Sequence, residues 1–440
     1  MESTITEQML ASFRADTEMD PMARIASRAA SKVNLNDICY DSRQAAKMNH
    51  RFSLEIPTMA ACDQKSSGRC WIFAGMNLLR EKIGKKLNLD RFELSQNYIA
   101  FYDHLEKANT FYSHIVETAA APLDDRELTM MLKEPVGDGG WWEYFVGLCR
   151  KYGVVPKDAM PETYQSGHSE NYNVLLNMQL RRDACVLRER IAAGASDGEI
   201  DALETEMLRR VYKFLTICLG MPPERFDFEY VDKDHSYHAD RELTPRRFYE
   251  KYLGEDLEQI ISILHAPVEG LPFNQTYVTP REESICGAHR AKRLNLPLEA
   301  FKAAVIRQLE AGEPVWFVCD CDYFGSMDDG ALDPAIYDFE TPFGLEFTMD
   351  KGRRLQYRQC TLNHAMLLTG VNLVDGRPDK WKVQNSWGTD SGHDGYFTMS
   401  DRWFDEFVFT ASIRMDLLTE REQALFRQEP VECPLWSVLA

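Results

Sequence analysis

The chain has 440 residues, and its 50 Lys and Arg against 69 Asp and Glu give a net charge of −19. With 44% hydrophobic and 27% charged residues, it can bury a large core, which excludes a disordered or fibrous protein. The acidic balance argues against nucleic acid as the main partner, because Lys and Arg supply most of that affinity. The length predicts about two to four compact units, or one core with a large insertion.

The eleven cysteines are scattered without a compact framework of spacings. Such scatter is typical of a reduced, intracellular protein. The N-terminal sequence MESTITEQMLASFRADTEMD mixes acidic residues into every stretch and has no apolar core of a signal peptide. No apolar run approaches the roughly 18 residues that a membrane helix needs. We therefore expect a soluble, cytoplasmic protein with no membrane partner.

Helical periodicity dominates the first half of the chain. After Arg69, apolar residues recur every three or four positions, which predicts an amphipathic helix. They are Ile72, Phe73, Met76, Leu79 and Ile83. Residues 94–108 behave similarly, and two such stretches between about 170 and 220, separated by a polar turn at 195–198, predict a helical hairpin. This hairpin is either an ordinary packed helix pair or an assembly arm.

Short aromatic and β-branched runs, separated by Gly, Asp and Pro, follow in the second half and predict strands. They cover residues 315–324, 364–374, 380–387, 394–400 and 410–418. Helices first and strands later predict an α+β protein with a helical lobe facing a β lobe. We expect the N-terminal segment and helical lobe in residues 1–165, a helical insertion in 166–300, and the β lobe with the C-terminal tail in 301–440.

An acidic stretch near residues 226–245 contains His235 and His238 among several Asp residues. A metal site is conceivable there, and an exposed polar loop is the alternative. Because the stretch lacks Cys pairs and an HExxH arrangement, we favour the loop and predict no metal site.

Three segments stand apart, at residues 63–75, 361–370 and 383–388. Cys70 follows a Ser-Ser-Gly turn and opens the predicted helix, so the positive end of the helix dipole would lower the pKa of its thiol. A thiolate is the nucleophilic form, and an imidazolium would lower the pKa further. His364, on a predicted strand, is the candidate partner.

The histidine needs an acceptor that holds its ring in one tautomer, and the amide oxygen of Asn385 can provide it. Trp387 could shield that hydrogen bond from water. Gln64, six residues before Cys70, could present its amide to the oxyanion of a tetrahedral intermediate.

Each of these residues alone has an ordinary structural interpretation. A free Cys is usually a buried hydrophobe, a strand His usually belongs to the core, and Asn-Ser-Trp-Gly can be a simple turn. The ordered combination of Gln, Gly-x-Cys-Trp at a helix start, a distant His and then Asn-Ser-Trp-Gly is the arrangement of papain.

The sequence resembles the bleomycin hydrolase/aminopeptidase C branch of the papain-like cysteine peptidases. The resemblance covers most of the chain and is weaker between about 165 and 300. The matching stretches are QKSSGRCW, FELSQNYIAFYDHLEKAN (92–109), PLDDRELTMML (122–132), DGGWWEYF (138–145), YGVVPKDAMPET (152–163), GEPVWFVCD (312–320), NHAMLLTGV (363–371), WKVQNSWG and GYFTMSDRWFDEFV (395–408). It implies a papain-like fold with a helical insertion.

The resemblance also implies roles for these residues. Cys70 is then the nucleophile, His364 the general base and acid, Asn385 the residue that orients the histidine, and Gln64 an oxyanion donor. The implied reaction is amide hydrolysis through an acyl-enzyme, without metal or organic cofactor. Family members are homohexamers, which would give the helical hairpin a role in subunit contacts.

The family's exopeptidase character is attributed to a C-terminal tail whose carboxylate pairs with the α-ammonium of the substrate. That carboxylate belongs to Ala440 here. The resemblance thus implies a cytoplasmic aminopeptidase for peptides with free N-termini. Four residues follow Trp436, fewer than in the family's usual ending, so an oligoendopeptidase with an open cleft is the alternative. Two further alternatives are a nucleic-acid-binding regulator, which the net charge disfavours, and a catalytically inactive scaffold.

Overall fold

The computed structural model describes residues 4–254, 257–288 and 290–439. Sixteen α-helices lie in these ranges. They are α1 (Glu7–Met19), α2 (Pro21–Ala30), α3 (Leu35–Cys39), α4 (Ser42–Ala45), α5 (Cys70–Leu87), α6 (Gln96–Glu117), α7 (Arg126–Lys133), α8 (Trp142–Tyr152), α9 (Glu170–Ala192), α10 (Asp197–Leu219), α11 (Pro245–Tyr252), α12 (Leu298–Glu310), α13 (Glu340–Phe343), α14 (Lys351–Gln356), α15 (Asp401–Phe407) and α16 (Glu420–Phe426).

Fourteen strands lie in the same ranges. They are β1 (Leu54–Glu55), β2 (Phe226–Val231), β3 (Tyr237–Leu243), β4 (Ile260–Leu264), β5 (Gln275–Val278), β6 (Arg293–Asn295), β7 (Val315–Cys319), β8 (Gly325–Ser326), β9 (Ala331–Leu332), β10 (His364–Val374), β11 (Arg377–Gln384), β12 (Tyr396–Ser400), β13 (Val408–Arg414) and β14 (Val431–Glu432).

Twelve of the strands form one sheet, and β2 and β3 pair separately. The order across the large sheet is β14, β5, β6, β4, β13, β7, β10, β11, β12, β9 and β8, with β1 paired to β10. From β4 to β12 in this order, each strand pairs with the next in antiparallel orientation. The middle of the sheet is therefore a rigid platform on which the ends of β10 and β11 are fixed.

Successive residues of the central strands face opposite sides of this sheet, and each side has its own core. On one side, Trp316 and Val318 of β7 pack into the core around α5 and α6. On the other, Val315 and Phe317 pack with residues of α12 and α15. The indole N–H of Trp316 also donates to the Trp71 carbonyl on α5 at 3.2 Å. The helical lobe thus lies against one face of the sheet.

The strands β10 and β11 form a long antiparallel hairpin. Their register pairs Leu367 with Gln384 at one end and Val374 with Arg377 at the other. The turn between them consists of Asp375 and Gly376, which have φ values of 50° and 74°. Positive φ at both positions is the geometry of the tightest hairpin turns. The turn lies at the far end of the hairpin from His364.

The predicted α+β architecture is confirmed, and several elements agree closely with the sequence patterns. Helix α5 begins at Cys70, and α9 and α10 form the predicted helical hairpin. Ser196 and Glu199 start α10 with a reciprocal capping box, which explains the polar turn between the two helices.

The predicted division at residue 300 does not coincide with the sheet. Strands β4, β5 and β6, between Ile260 and Asn295, lie within the segment assigned to the helical insertion, yet all three belong to the large sheet. Their partners β13 and β14 come from the end of the chain. The helical character of the 166–300 segment therefore does not extend past α11, and the division into domains stays a prediction.

The strand predicted over residues 315–324 is shorter in the structure, where β7 covers only Val315–Cys319. Strand β7 ends at Cys319, so Cys321 does not share a strand face with it. Cys319 is fully buried, as expected of a small hydrophobe, whereas Cys321 is partly exposed and its N–H donates to the Asn363 side chain. In the ranges described, no helix combines the length and the apolar character required to cross a membrane.

Candidate active site

Cys70 is the first residue of α5, where the helix meets the sheet. Its side chain is 8% exposed. The preceding residue, Arg69, provides no side-chain cap for the helix. The Ile72 and Phe73 N–H groups donate to the Arg69 carbonyl, both at 3.0 Å, whereas the Trp71 N–H bonds to the Cys70 sulfur.

His364 and Asn385 come from the opposite lobe. His364 is the first residue of β10, and Asn385 directly follows the last residue of β11. The hairpin register brings them together, with His364 Nε2 at 2.8 Å from Asn385 Oδ1. The Ser386 N–H donates to the same oxygen at 2.8 Å, which fixes the orientation of the amide. Nε2 is therefore the donor in this bond, and Nδ1 is left for Cys70.

Cys70 and His364 interact directly across the cleft between the lobes. The Cys70 sulfur also accepts the Ala365 N–H at 3.4 Å. Burial would raise the pKa of the Cys70 thiol, but the charge and hydrogen bond of His364, with the N–H groups of Ala365 and Trp71, lower this pKa below its ordinary value. The site thus favours the thiolate.

The interaction between Cys70 and His364 raises the pKa of the histidine, whereas it lowers the pKa of the cysteine. Burial would lower the pKa of His364, but the Cys70 thiolate and the hydrogen bond to Asn385 raise the pKa above the ordinary imidazole value. Both shifts favour the pair of thiolate and imidazolium, which is the reactive form of a cysteine nucleophile.

Trp387 covers this pair as the sequence suggested. Its ring stacks on the His364 ring with centroids 4.8 Å apart and an interplanar angle of 26°. Phe397 packs edge-on against the indole, with centroids at 6.1 Å. The indole thus lies over the imidazole that bonds to Asn385, and its shielding role stays a prediction.

Gln64 is buried beside the turn that leads to Cys70. Its Oε1 accepts the Ser386 hydroxyl, and its Nε2 donates to the Ser67 carbonyl. Its backbone N–H also donates to the Ser386 carbonyl at 2.8 Å. An amide group carries two N–H donors, so these bonds leave one for an oxyanion. The oxyanion role of Gln64 stays a prediction.

Several residues that hold the site in place were missed in the sequence. Asp320 accepts the Thr361 N–H and the Asn363 amide, both at 2.9 Å, and so fixes the segment before His364. Glu162 forms a bidentate pair with Arg69, at 3.3 and 2.8 Å, directly before Cys70. These pairings join distant parts of the chain, and no spacing pattern in the sequence signals them.

The cleft beside Cys70 has a volume of about 610 Å³. Its walls combine backbone at Gly139 and Gly140 with apolar side chains of both lobes. These side chains include Trp141, Tyr144, Val318, Leu362 and Leu435. An extended peptide can bond to the exposed backbone of such a groove while its side chains enter the apolar pockets.

The C-terminal tail enters this cleft, because Leu435 is part of its lining. The next residue, Trp436, lies 4.1 Å from the Arg126 guanidinium of the helical lobe, and its carbonyl accepts from Arg358 of the β lobe at 2.6 Å. Leu439 is buried, and its carbonyl lies 3.4 Å from the Arg293 guanidinium. Ala440, the predicted carboxylate anchor, lies outside the described residues.

The acidic stretch near 226–245 forms the strands β2 and β3. His238 pairs with Asp232 at 2.8 Å, and His235 lies in the turn between the strands with φ of 60°. Among the residues described, no three His, Cys, Asp or Glu side chains come close enough together to hold a metal ion.

Comparisons with known proteins agree with this geometry. Residues 4–440 match the model of the Peptidase C1-like family. The chain is 38% identical to Aminopeptidase C of Lactobacillus delbrueckii subsp. lactis over 439 residues, which cover 99% of this chain and 98% of that protein. It is 37% identical to Aminopeptidase E of Lactobacillus helveticus over 441 residues, which cover both chains fully. The crystal structure of PepW from Lactobacillus rhamnosis HN001 superposes with a TM-score of 0.97 at 41% identity, covering 100% of this chain and 99% of that one.

The shifted pKa values predict how Cys70 reacts with iodoacetamide. Because the pKa of Cys70 is lowered, we expect alkylation at a pH well below that needed by exposed Cys185, whose pKa is raised by the adjacent Glu189. Replacing Asn385 with Ala removes a bond that favours the imidazolium. Alkylation of Cys70 at about pH 6 should then fall by about tenfold, the effect of about 1.4 kcal/mol.

Peptide mass spectrometry across a pH series measures both cysteines in one sample. Cys185 serves as the internal control, since it lies on the surface of α9 away from the cleft. If Cys70 and Cys185 were alkylated over the same pH range, the ion pair described here would be wrong.

Proposed function

Because the chain belongs to the Peptidase C1-like family, we propose that it is a cysteine aminopeptidase that releases N-terminal residues from short peptides. Membership confirms the resemblance to bleomycin hydrolase and aminopeptidase C, the papain-like α+β fold, and the assignment as a cysteine-type peptidase. The observation that carries the proposal is the array of Cys70, His364 and Asn385 at the edge of the cleft.

The proposed reaction has two steps. In the first, the Cys70 thiolate attacks the carbonyl carbon, and the tetrahedral intermediate collapses as His364 donates its proton to the leaving amine. The C–N bond breaks, and a thioester remains on Cys70. In the second, a water molecule gives a proton to His364 and attacks the thioester, which releases the amino acid and regenerates the pair. The Cys70 N–H and the Gln64 amide bind the oxyanion in both steps.

Three lines support removal of a single residue. The relatives from Lactobacillus delbrueckii subsp. lactis and Lactobacillus helveticus are named as aminopeptidases. The tail reaches the cleft through Leu435, so an extended chain on that side has limited room. The terminal carboxylate of Ala440 is a suitable partner for the α-ammonium of a substrate, because a fixed anion selects a free N-terminus.

The proposal predicts the response to two fluorogenic substrates. A leucyl amide with a free amino group should be hydrolysed at least about tenfold faster than its N-acetylated form, because acetylation removes the charge that the anchor binds. The measurement is kcat/KM for both. A higher kcat/KM for the N-acetylated substrate would favour the oligoendopeptidase alternative.

Two cysteine variants separate this activity from a contaminant. Replacing Cys70 with Ser should abolish turnover and alkylation at that position while leaving the fold intact. Replacing the exposed Cys286 with Ser removes a thiol far from His364 in the chain and should change neither. Persistent turnover by Cys70→Ser would refute the proposed nucleophile. No turnover by the unaltered protein would favour the inactive-scaffold alternative.

The carboxylate anchor has its own test. Deleting Ala440 moves the terminal carboxylate back by one residue, about 3.3 Å of extended chain. We expect the ratio of free to blocked substrate hydrolysis to fall by about tenfold, since the anion no longer reaches the α-ammonium. A shorter deletion is preferred to removal of residues 438–440, because Leu439 is buried and its loss would disturb the fold. An unchanged ratio would show that the anchor lies elsewhere.

We also propose a cytoplasmic location and a homohexamer. A reducing compartment is supported by the eleven cysteines, all of which lie in the described residues and are unpaired. A contact between subunits through the helical hairpin α9 and α10 is supported by exposed apolar side chains on these helices. They are Val174 (52% exposed), Leu175 (56%), Met178 (60%) and Ile217 (73%). Such groups commonly mark contacts between proteins.

Light scattering tests the assembly. The unaltered protein should have about six times the monomer mass. Introducing Glu at both Val174 and Met178 should lower this mass, because charges would be buried in the contact. Glu at Val374, which is 53% exposed on β10, is the control and should leave the mass unchanged. A monomeric unaltered protein would refute the hexamer, and a hexameric double variant would exclude this face of the hairpin.

A further inference from the structure

Asp138 is a nearly buried carboxylate that the mechanism above does not use. It lies between α7 and α8, in the run DGGWW, and its side chain is 10% exposed. The two residues after it, Gly139 and Gly140, form part of the cleft wall. Asp138 therefore lies directly behind the substrate cleft, on the side of the nucleophile.

Asp138 contacts the chain on both sides of Cys70. Its Oδ2 accepts the Gly68 N–H at 2.8 Å. Its backbone carbonyl accepts the indole N–H of Trp71 at 2.6 Å. A single residue thus holds positions that precede and follow the nucleophile.

The close approach of the segment at Gly68 to the segment at Asp138 requires glycine at position 68. A Cβ atom on Gly68 would lie 2.7 Å from the Cβ of Asp138. Carbon atoms in proteins do not approach this closely, so a larger residue would push the turn away from Asp138. The Ser-Ser-Gly turn before Cys70 is therefore shaped to the carboxylate behind it.

His104 on α6 keeps Asp138 charged. Its Nδ1 lies 2.9 Å from the Ala100 carbonyl, and its Nε2 lies 2.9 Å from Asn173 Oδ1 and 3.3 Å from Asp138 Oδ1. The Asn173 amide N–H donates to Asp138 at 2.7 Å, which turns the Asn173 oxygen toward His104. The Tyr172 hydroxyl also lies 3.1 Å from Nε2. Both ring nitrogens thus lie beside oxygens that can accept, and this arrangement favours the imidazolium form of His104.

The pKa shifts agree with this assignment. Burial would lower the pKa of His104, but Asp138 raises the pKa above its ordinary value. Burial would raise the pKa of Asp138, but His104, Ser169 and Asn173 lower the pKa well below its usual range. Asp103, whose Oδ2 lies 2.6 Å from Lys107 Nζ and 3.9 Å from His104 Nδ1, also raises the pKa of His104.

Lys107 also fixes the segment that carries Asp138. Its ammonium group donates to the carbonyls of Gly137 and Gly139, at 2.8 and 2.5 Å. The carboxylate is therefore held by its backbone on both sides as well as through its oxygens. Such a rigid acceptor can set the position of the group that donates to it.

We propose that Asp138 is the positioning residue of the nucleophile. Its ion pair with His104 maintains a fixed carboxylate, which orients the Gly68 N–H and so the first turn of α5. Ser169 and Asn173, at the start of α9, bond to the same carboxylate and tie the helical hairpin to Cys70. The inference rests on the proposed function, because it takes Cys70 as the nucleophile.

The test is Asp138→Asn, which keeps the shape of the side chain and removes its charge. The Gly68 N–H then loses its charged acceptor, and Cys70 moves relative to His364. We expect kcat/KM and the alkylation rate of Cys70 at about pH 6 each to fall by about tenfold to a hundredfold, since a displacement of about 1 Å costs that much. The onset of alkylation should move to higher pH.

A merely structural role predicts another result. Asp138→Asn would then lower the melting temperature and leave the alkylation profile of Cys70 unchanged, which would overturn the inference. Asp183→Asn is the matched control, because Asp183 on α9 is another buried carboxylate and accepts the Tyr112 hydroxyl at 2.9 Å. It should lower the melting temperature without moving the profile.

Ser169→Ala is a milder variant that removes one donor to Asp138 and keeps the carboxylate. It should shift alkylation in the same direction by a smaller factor, and no shift would count against the inference even if Asp138→Asn failed to fold. Alkylation of the unaltered enzyme distinguishes a failure of the proposed function from a failure of this inference. Slow alkylation of Cys70 there would overturn the proposed function and this inference together, whereas fast alkylation with an unchanged Asp138→Asn profile overturns the inference alone.

Discussion

The contact between Cys70 and His364 is the interaction on which the arrangement of the two lobes depends. Its members come from the first residue of a helix in one lobe and the first residue of a strand in the other. Both are buried, and a buried charge without its partner costs several kcal/mol. The lobes must therefore keep a fixed separation, which the packing of α5 against the face of β7 and β10 provides.

The polar groups around Cys70 and His364 also help to hold the two residues at a fixed separation. Asp320 fixes the segment before His364, Ser386 links Gln64 to the β lobe, and Glu162 holds Arg69. Each bond joins an irregular segment to a side chain from a distant part of the chain. A loop has many conformations of similar energy, so these bonds select the one in which sulfur and imidazole face each other.

Local patterns and residue chemistry were enough to predict the centre of the site. The start of α5, the bounds of β10 and the pairing of His364 with Asn385 follow from periodicity and from the order of residue types. The membership of β4 in the large sheet could not be predicted, because its partner β13 lies about 150 residues away and strand pairing over such distances leaves no local signal.

The charged network behind the nucleophile was also beyond the sequence. His104 and Asp138 are separated by the rest of α6, by α7 and by the segments on either side of α7, and each has ordinary neighbours in the sequence. Their meeting depends on how α6 packs against the segment before α8. The DGGWW run resembles a family motif, but the partner of its aspartate is defined only by the three-dimensional packing.

In the hairpin of β10 and β11, the catalytic residues lie at one end and the turn that connects the two strands lies at the other. His364 and Asn385 lie at its open end, while the turn at Asp375 and Gly376 lies about 35 Å away along an eleven-residue strand. The distance between imidazole and amide is set by the ladder of hydrogen bonds nearest to them, and the connection at the far end contributes little. The chain could therefore be opened at this turn, with new termini or a fused module placed there, while the catalytic pair keeps its register.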